Sequence, residues 1–255
     1  MSCCPPGSLP YLEASYQGKG EIVKEGDIEM YLAPVTGTPT SAILMSPDIW
    51  GWNGGRMRAV ADSFASMGYM VVVPKLLTPV FEGGTDGDAM GPESQFNMDW
   101  IKQFPWTVQK PKVDTALSYL RGKGVTKIAV FGFCYGGHPS CWASSENDDV
   151  VCGVVFHPSM QLEQFAFGGD FMGLIKSVKA PFLICPAGND IPMYAEDSEF
   201  AAALKASAKG GECVIKVFPD MTHGFTCRSD VSDEKVARDV EASMKEAADF
   251  IAKYL

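Results

Sequence analysis

Six short runs of β-forming residues are spread along the chain, and several of them are apolar at every position rather than at alternate positions. A strand of that kind is covered on both faces, as in a parallel sheet flanked by helices. Two other stretches, residues 57–67 and 236–251, place apolar residues at helical spacing. For a chain of 255 residues this alternation predicts an α/β fold with a mostly parallel, doubly wound sheet in a single domain. The six runs are residues 41–46, 69–74, 127–133, 150–156, 181–186 and 213–218.

Two segments stand outside this alternation. Residues 1–20 precede the first apolar run and form a predicted N-terminal extension. Residues 76–99 are rich in glycine and acidic residues and are too long for an ordinary connection. They are interpreted either as a lid or substrate-facing loop or as a disordered insertion, and the pattern does not distinguish the two.

The charge of the chain argues against several classes of partner. The formal net charge is −10 and no cluster of Lys and Arg is present, so nucleic acid and anionic membrane surfaces would be repelled. No stretch has the length and apolar character of a membrane span, and the N-terminus lacks the pattern of a secretory signal. We expect a cytoplasmic monomer or homodimer that acts on a small molecule.

The motifs indicate neither a metal nor an organic cofactor. The three histidines lack metal-binding spacing, no C-x-x-C is present, and no glycine-rich phosphate loop follows a strand. The eight cysteines are too dilute for a disulfide framework. The adjacent Cys3 and Cys4 are interpreted as part of a frayed terminal tail. The alternative is that they form a metal-binding site, an acylation site or a redox-active pair of thiols.

A cysteine lies at the tip of a glycine-flanked turn. Gly132 is the next-to-last residue of the apolar run 127–133, and Cys134, directly after the run, is followed two residues later by Gly136 and a stretch that can start a helix. A strand, a sharp turn and a helix form the context of a nucleophile elbow, in which glycines allow the strained turn to pack closely. The N-terminus of a helix stabilises a thiolate. Cys134 is therefore the candidate nucleophile, the alternative being a buried filler in a tight turn.

A thiol nucleophile needs a base, and the position of His223 favours it over the other two histidines. His223 follows a late strand, at the sheet edge where α/β active sites form. His138 lies inside the elbow helix and is expected to point away from the substrate, while His157 closes a strand. Asp190, in the loop after the preceding strand, is the predicted carboxylate partner, and Asp220 suits a turn better.

The loop after the first long strand supplies the remaining candidates. An oxyanion hole needs the backbone N–H after the nucleophile, which is Tyr135, and a second N–H from an early loop, for which Ile49 is the natural donor. Asp48 then lies close to the thiol. Trp50, next in the same turn, is a candidate substrate-binding residue.

Taken together, these motifs resemble the dienelactone hydrolase (carboxymethylenebutenolidase) family. The matching stretches are DIWG from Asp48, GFCYGG from Gly132, GND from Gly188 and HGF from His223. The resemblance implies an α/β-hydrolase fold and hydrolysis of an enol-lactone through a thiol ester. It also implies Cys134 as nucleophile, His223 as base and Asp190 as the residue that orients it.

Two positions depart from the family pattern. Bacterial members typically carry Glu where this chain has Asp48. The resemblance implies that this carboxylate helps to convert the thiol to a thiolate when substrate binds. Those members also use two arginines for the substrate carboxylate. The resemblance implies Arg228 as the counterpart of one, whereas no arginine lies between Arg58 and Arg121 to replace the other.

Three functions therefore compete at the level of the sequence. The first is a cysteine hydrolase of small esters or lactones. The second is a catalytically weak ligand-binding or redox-sensing protein in which Cys134 is an oxidisable thiol. The third, a serine hydrolase using Ser46 or Ser159, has no Gly-x-Ser-x-Gly motif to support it.

Overall fold

A computed structural model describes residues 4–78 and 98–255. Its centre is one eight-stranded sheet in the order β1-β2-β4-β3-β5-β6-β7-β8. The first two strands pair antiparallel, β2 also pairs antiparallel with β4, and the other pairings are parallel. The strands are β1 (Glu21–Glu25), β2 (Ile28–Leu32), β3 (Ser41–Ser46), β4 (Met70–Pro74), β5 (Lys127–Phe133), β6 (Val150–Phe156), β7 (Phe182–Cys185) and β8 (Val214–Ile215).

Helices cover both faces of the sheet. The largest apolar cluster contains residues of α3, α4, α6 and α7, and the second contains residues of α1 and α9. This accounts for the continuously apolar runs in the sequence. The helices of the described residues are α1 (Met57–Ala65), α2 (Met98–Ile101), α3 (Trp106–Gly122), α4 (Gly137–Glu146), α5 (Leu162–Phe165), α6 (Phe171–Ser177), α7 (Glu199–Lys205), α8 (Phe225–Arg228) and α9 (Glu234–Ile251). None of them is long and apolar enough to cross a membrane.

The predicted doubly wound sheet is confirmed, with two additions at one edge. All six apolar runs contain strands, although the last is only β8, two residues long. The antiparallel strand β1 was missed because its sequence EIVKE is mostly exposed and carries no apolar run, and β2 was missed because Glu29 interrupts the apolar residues of IEMYL. The resulting strand order and parallel centre are those of the α/β-hydrolase fold.

The N-terminal extension packs against the domain from Cys4 onward. The hydroxyl of Tyr16 and the backbone N–H of Lys19 both donate to the Asp62 carboxylate, at 2.6 and 2.8 Å. Further along, the N–H of Gly55 donates to the carbonyl of Leu12 at 2.8 Å. The interpretation of Cys4 as part of a frayed tail is wrong, because its sulfur lies 3.5 Å from Cys134 Sγ. Cys3 lies outside the described residues.

The possible lid falls mainly outside the described residues, because 79–97 are not among them. Its first residues are held by Lys112, whose ammonium donates to the carbonyl of Leu76 at 2.6 Å and to the hydroxyl of Thr78 at 3.0 Å. Leu77 and Met98, which lie on either side of residues 79–97 in the sequence, pack in the apolar cluster that also contains Cys134. Both ends of this segment therefore lie near the candidate nucleophile.

Candidate active site

Cys134 occupies a strained turn between β5 and α4. Its φ is 52°, in the left-handed region that residues other than glycine seldom adopt. A Cβ on Gly132 would lie 2.5 Å from both the N and the Cα of Gly137, so glycine is required where the strand meets the helix. The turn is followed directly by α4, whose N-terminus favours a negative charge on the sulfur. This is the geometry of the predicted nucleophile elbow.

The elbow is also packed tightly against the end of β3. A Cβ on Gly136 would overlap the carbonyl oxygen of Ser46 and lie 2.6 Å from its carbonyl carbon, both of them backbone atoms that cannot rotate away. This close approach brings the residue after the nucleophile, Tyr135, next to the loop that begins at Pro47. Both predicted oxyanion donors, Ile49 and Tyr135, lie in one buried cluster with Cys134.

We expect Gly136→Ala to destabilise the fold by at least about 1–3 kcal/mol and to lower turnover, because backbone must move to admit the methyl group. The matched control is Gly122→Ala at the end of α3, where a Cβ would meet nothing within 4 Å. Urea denaturation gives the free energy of unfolding of each variant. Equal stability of the two variants would contradict the tight packing of the elbow.

His223 and Asp190, the candidate base and its candidate carboxylate partner, are hydrogen-bonded. His223 Nδ1 lies 2.5 Å from Asp190 Oδ1, and both side chains are buried. The other oxygen of Asp190 accepts the N–H of Ala187 at 2.7 Å, which fixes the carboxylate. Asp220, the alternative acid, is instead exposed and pairs with Lys235 at 3.1 Å. Because Nδ1 is engaged by Asp190, Nε2 is the nitrogen left to exchange a proton with a thiol.

Two cysteine sulfur atoms lie close to the side chain of His223. Cys134 Sγ lies 3.5 Å from Cys4 Sγ, and one atom each from Cys4, Cys134 and His223 falls within 4.8 Å of the others. The candidate nucleophile and base are therefore adjacent. Two thiols and an imidazole could together hold a soft metal ion. Since two of them are the candidate nucleophile and base, we assign the cluster to thiol chemistry. Sequence spacing did not reveal this cluster, because Cys4 and Cys134 are 130 residues apart.

The pKa of His223 is raised from 6.5 to about 9. Burial opposes the charged imidazolium and lowers the pKa, but the electrostatic interaction with Cys4 and the hydrogen bond to Asp190 outweigh it. The folded state therefore binds this proton more tightly than the unfolded chain does. The resulting stabilisation is fully present below pH 6.5 and is lost as the pH rises through about 9.

We expect the free energy of unfolding to fall between pH 6.5 and pH 9.5 by more in the wild type than in His223→Gln. The excess is at most about 3 kcal/mol, since one pKa unit corresponds to about 1.4 kcal/mol. Urea denaturation at the two pH values measures it. Cys4→Ser should show a smaller excess, because Cys4 contributes to the raised pKa. An identical pH dependence in the wild type and His223→Gln would contradict this account.

The other two histidines have different surroundings. His138 is buried with Nε2 2.6 Å from the carboxylate of Glu163, as expected for a histidine directed away from the nucleophile. His157 bonds the hydroxyl of Thr226 at 2.7 Å, and its ring packs 5.0 Å from that of His223. Burial, reinforced by the charge of His223, lowers the pKa of His157 well below its ordinary value. Neutral His157 therefore packs against His223, the candidate base. The sequence did not predict this contact.

Ser159 is a second neighbour that sequence reasoning did not place. Its hydroxyl lies 3.3 Å from Cys134 Sγ, and its backbone N–H donates to the Cys134 carbonyl at 3.1 Å. Ser159 follows β6, which lies next to β5 in the sheet, and Cys134 follows β5. The adjacency of these two strands is the feature from which the contact could have been predicted. Ser159 is therefore a polar contact of the candidate nucleophile. It lies outside the elbow.

Asp48 and Arg228 are paired with each other. Arg228 donates to Asp48 Oδ2, and both side chains are buried. The other oxygen of Asp48 accepts the N–H of Trp50 at 2.8 Å. The Asp48 carboxylate is thus held by the arginine in this state, and its predicted action on the thiol requires that this pair separate. The roles predicted for both residues in activation and substrate binding stay predictions.

Trp50 lines a cavity beside this pair. The cavity, of about 280 Å³, lies between the N-terminal segment and the turn that carries Ile49 and Trp50. The Arg228 guanidinium lies 5.9 Å from the Trp50 ring centroid. A ligand in this cavity would therefore contact Trp50, whose predicted role in substrate binding stays a prediction.

Comparison with known proteins decides the family. The model of the dienelactone hydrolase family matches residues 28–255. The chain belongs to this family. The family assignment predicted from the motifs is thereby confirmed, and the chain is a dienelactone-hydrolase-like hydrolase. The matched residues include strands β2 to β8, the elbow, Asp190 and His223.

Individual relatives of the family agree with this assignment. The chain is 27% identical to hydrolase pyvD of Aspergillus violaceofuscus, over 99% of this chain and 96% of that protein. It is 28% identical to the human carboxymethylenebutenolidase homolog, over 84% and 82% of the two chains. A putative dienelactone hydrolase from Klebsiella pneumoniae superposes with a TM-score of 0.69 at 16% identity, covering 97% of this chain and 100% of that one. This last likeness establishes the α/β-hydrolase fold.

Proposed function

We propose that the protein hydrolyses small esters or lactones through a thiol ester on Cys134. The observation that carries the proposal is the convergence of a thiol in a strained elbow with His223, whose Nδ1 is bonded to Asp190. Thiol, imidazole and carboxylate in this order form the arrangement that activates a nucleophile for acyl transfer. A carboxylic ester or lactone is the substrate class that such a site attacks.

In the first half of the reaction, the unprotonated form of His223 takes the proton of Cys134 at Nε2, and the thiolate attacks the substrate carbonyl carbon. The resulting oxyanion accepts hydrogen bonds from the backbone N–H groups of Ile49 and Tyr135. Asp190 stabilises the imidazolium that forms. The intermediate then collapses, the carbon–oxygen bond of the ester breaks, and His223 returns the proton to the leaving oxygen. The acyl group remains on Cys134 as a thiol ester.

In the second half, water replaces the leaving group. His223 takes a proton from the water as it attacks the thiol ester carbonyl, and the same N–H groups hold the second oxyanion. Collapse of this intermediate expels the Cys134 thiolate and releases the carboxylic acid. The proton on His223 restores the thiol. For a lactone, the acid and the hydroxyl group leave as one molecule.

The buried pair of Asp48 and Arg228 supports a substrate that carries its own carboxylate. Such a group would compete with Asp48 for the guanidinium of Arg228. Once displaced from Arg228, the Asp48 carboxylate becomes available to accept the thiol proton. Asp48 is one methylene shorter than the glutamate of bacterial members, so a smaller gain in thiolate on substrate binding is expected here.

The test is hydrolysis of cis- and trans-dienelactone and of p-nitrophenyl acetate by the purified protein, before and after alkylation with iodoacetamide. We expect turnover of at least one of these substrates and its loss in proportion to alkylation of Cys134, as followed by peptide mapping. Turnover that survives complete alkylation of Cys134 would contradict the proposal and favour a serine nucleophile such as Ser159.

A further inference from the structure

Residues 4–10 lie across the candidate active site and are tied to it. The N–H of Leu9 donates to the carbonyl of His223 at 3.0 Å, and Arg228 Nε donates to the carbonyl of Leu9 at 3.1 Å. The side-chain N–H of Asn189 donates a third hydrogen bond, to the carbonyl of Pro6, at 3.2 Å. These anchors come from the loops that also carry the base and its acid. The segment is therefore positioned by the site itself.

The first described residue of this segment touches the nucleophile. Cys4 Sγ lies 3.5 Å from Cys134 Sγ, whereas a disulfide bond is about 2.05 Å long. A shift of about 1.5 Å would join the two sulfur atoms. Cys4 is only half-buried and lines the cavity beside Trp50, while Cys134 is fully buried. A small oxidant therefore reaches Cys4 more easily.

We propose that Cys4 and Cys134 form an oxidisable thiol pair, in which a hydroperoxide joins them as a disulfide that reversibly blocks the nucleophile. The proposal adds a second cysteine to the site. The effect on turnover depends on the function proposed above, whereas formation of the bond does not.

The chemistry balances with a hydroperoxide as the oxidant. His223 accepts the proton of Cys4, and the thiolate attacks the terminal peroxide oxygen, which breaks the O–O bond. The products are the sulfenic acid of Cys4 and an alkoxide or hydroxide that takes the proton from His223. Cys134 then attacks the sulfenic sulfur, its own proton leaves with the hydroxyl group as water, and the disulfide forms. Two thiols and one peroxide give one disulfide, one alcohol or water, and one further water.

The pairing would protect the enzyme as well as switch it off. A sulfenic acid without a neighbouring thiol is oxidised further to the sulfinic and sulfonic acids, which thiol reagents do not reverse. A disulfide in contrast is opened by thiol–disulfide exchange and returns both thiols. In a reducing compartment the bond would form only under oxidative stress.

The experiment treats the purified wild type, Cys4→Ser and Cys3→Ser with a small molar excess of hydrogen peroxide, enough for two oxidation steps on one thiol, in the presence of a metal chelator. Remaining thiols are alkylated in denaturant, and peptides are mapped without reduction. We expect a link between Cys4 and Cys134 in the wild type and in Cys3→Ser, the control that removes the neighbouring thiol of the same peptide. In Cys4→Ser we expect sulfinic acid on Cys134, and loss of activity that dithiothreitol does not recover.

Absence of the link in the wild type, or a link from Cys134 to a cysteine other than Cys4, would overturn the proposal. Equal recovery of wild type and Cys4→Ser after dithiothreitol would also overturn it. An ester assay run in parallel separates the two proposals. A link without any turnover counts against the hydrolase alone, and turnover without a link counts against the thiol pair alone.

Discussion

Replacing Cys134 by alanine is expected to lower kcat by about 10⁶-fold, to the level that binding and the oxyanion hole alone can support. The size of the effect follows from the mechanism, because without the sulfur neither the thiol ester nor the first tetrahedral intermediate forms. Steady-state hydrolysis of the best substrate from the ester and lactone panel measures it. Substrate affinity is expected to change little, since the side chain removed is small.

The matched control is Cys141→Ala. Cys141 is a buried cysteine of α4, two turns beyond the elbow, and its sulfur contacts Met160 Sδ at 3.3 Å. Burial raises the pKa of its thiol, so it remains protonated and unreactive. Its loss should cost some stability and leave kcat close to that of the wild type. Equal loss of activity in the two variants would point to misfolding and contradict the role of Cys134.

Asp190→Asn is expected to lower kcat by about 10⁴-fold while leaving the fold intact. The amide keeps the size of the carboxylate and can still accept the N–H of Ala187. It no longer stabilises the imidazolium, and its NH₂ group, turned toward His223, favours the wrong tautomer. Turnover and circular dichroism of the purified variant test both halves of this expectation.

Asp220→Asn is the control for that substitution. Asp220 lies only three residues before His223 in the sequence, yet its carboxylate is exposed and pairs with Lys235. We expect turnover near that of the wild type, because an exposed ion pair contributes little. Greater loss in Asp220→Asn than in Asp190→Asn would reverse the assignment of the acid.

Local patterns in the sequence were sufficient for the elbow and the central sheet. Continuous apolar runs identified the buried parallel strands, and glycine on both sides of Cys134 indicated a turn that tolerates no Cβ. Chain order then selected Asp190 and His223, because the loops after successive parallel strands meet at one edge of the sheet. These features depend on residues close in sequence or on a general rule of topology.

The contacts that the sequence did not reveal join distant residues. Cys4 reaches Cys134 across 130 positions, and Arg228 reaches Asp48 across 180. In a single sequence nothing marks such pairs, and the exposed strand β1 likewise carries no apolar pattern. The oxidisable pair and the resting state of Asp48 therefore emerged only from the folded arrangement.

The most direct test of the thiol ester mechanism is rapid-quench mass spectrometry of the protein mixed with excess p-nitrophenyl acetate. The account predicts that the intact protein gains the mass of one acetyl group and that peptide mapping places it on Cys134. The modification should be absent from Cys134→Ala and should decay as water hydrolyses it. Turnover with the acetyl group on Ser159, or on any residue other than Cys134, would contradict the account.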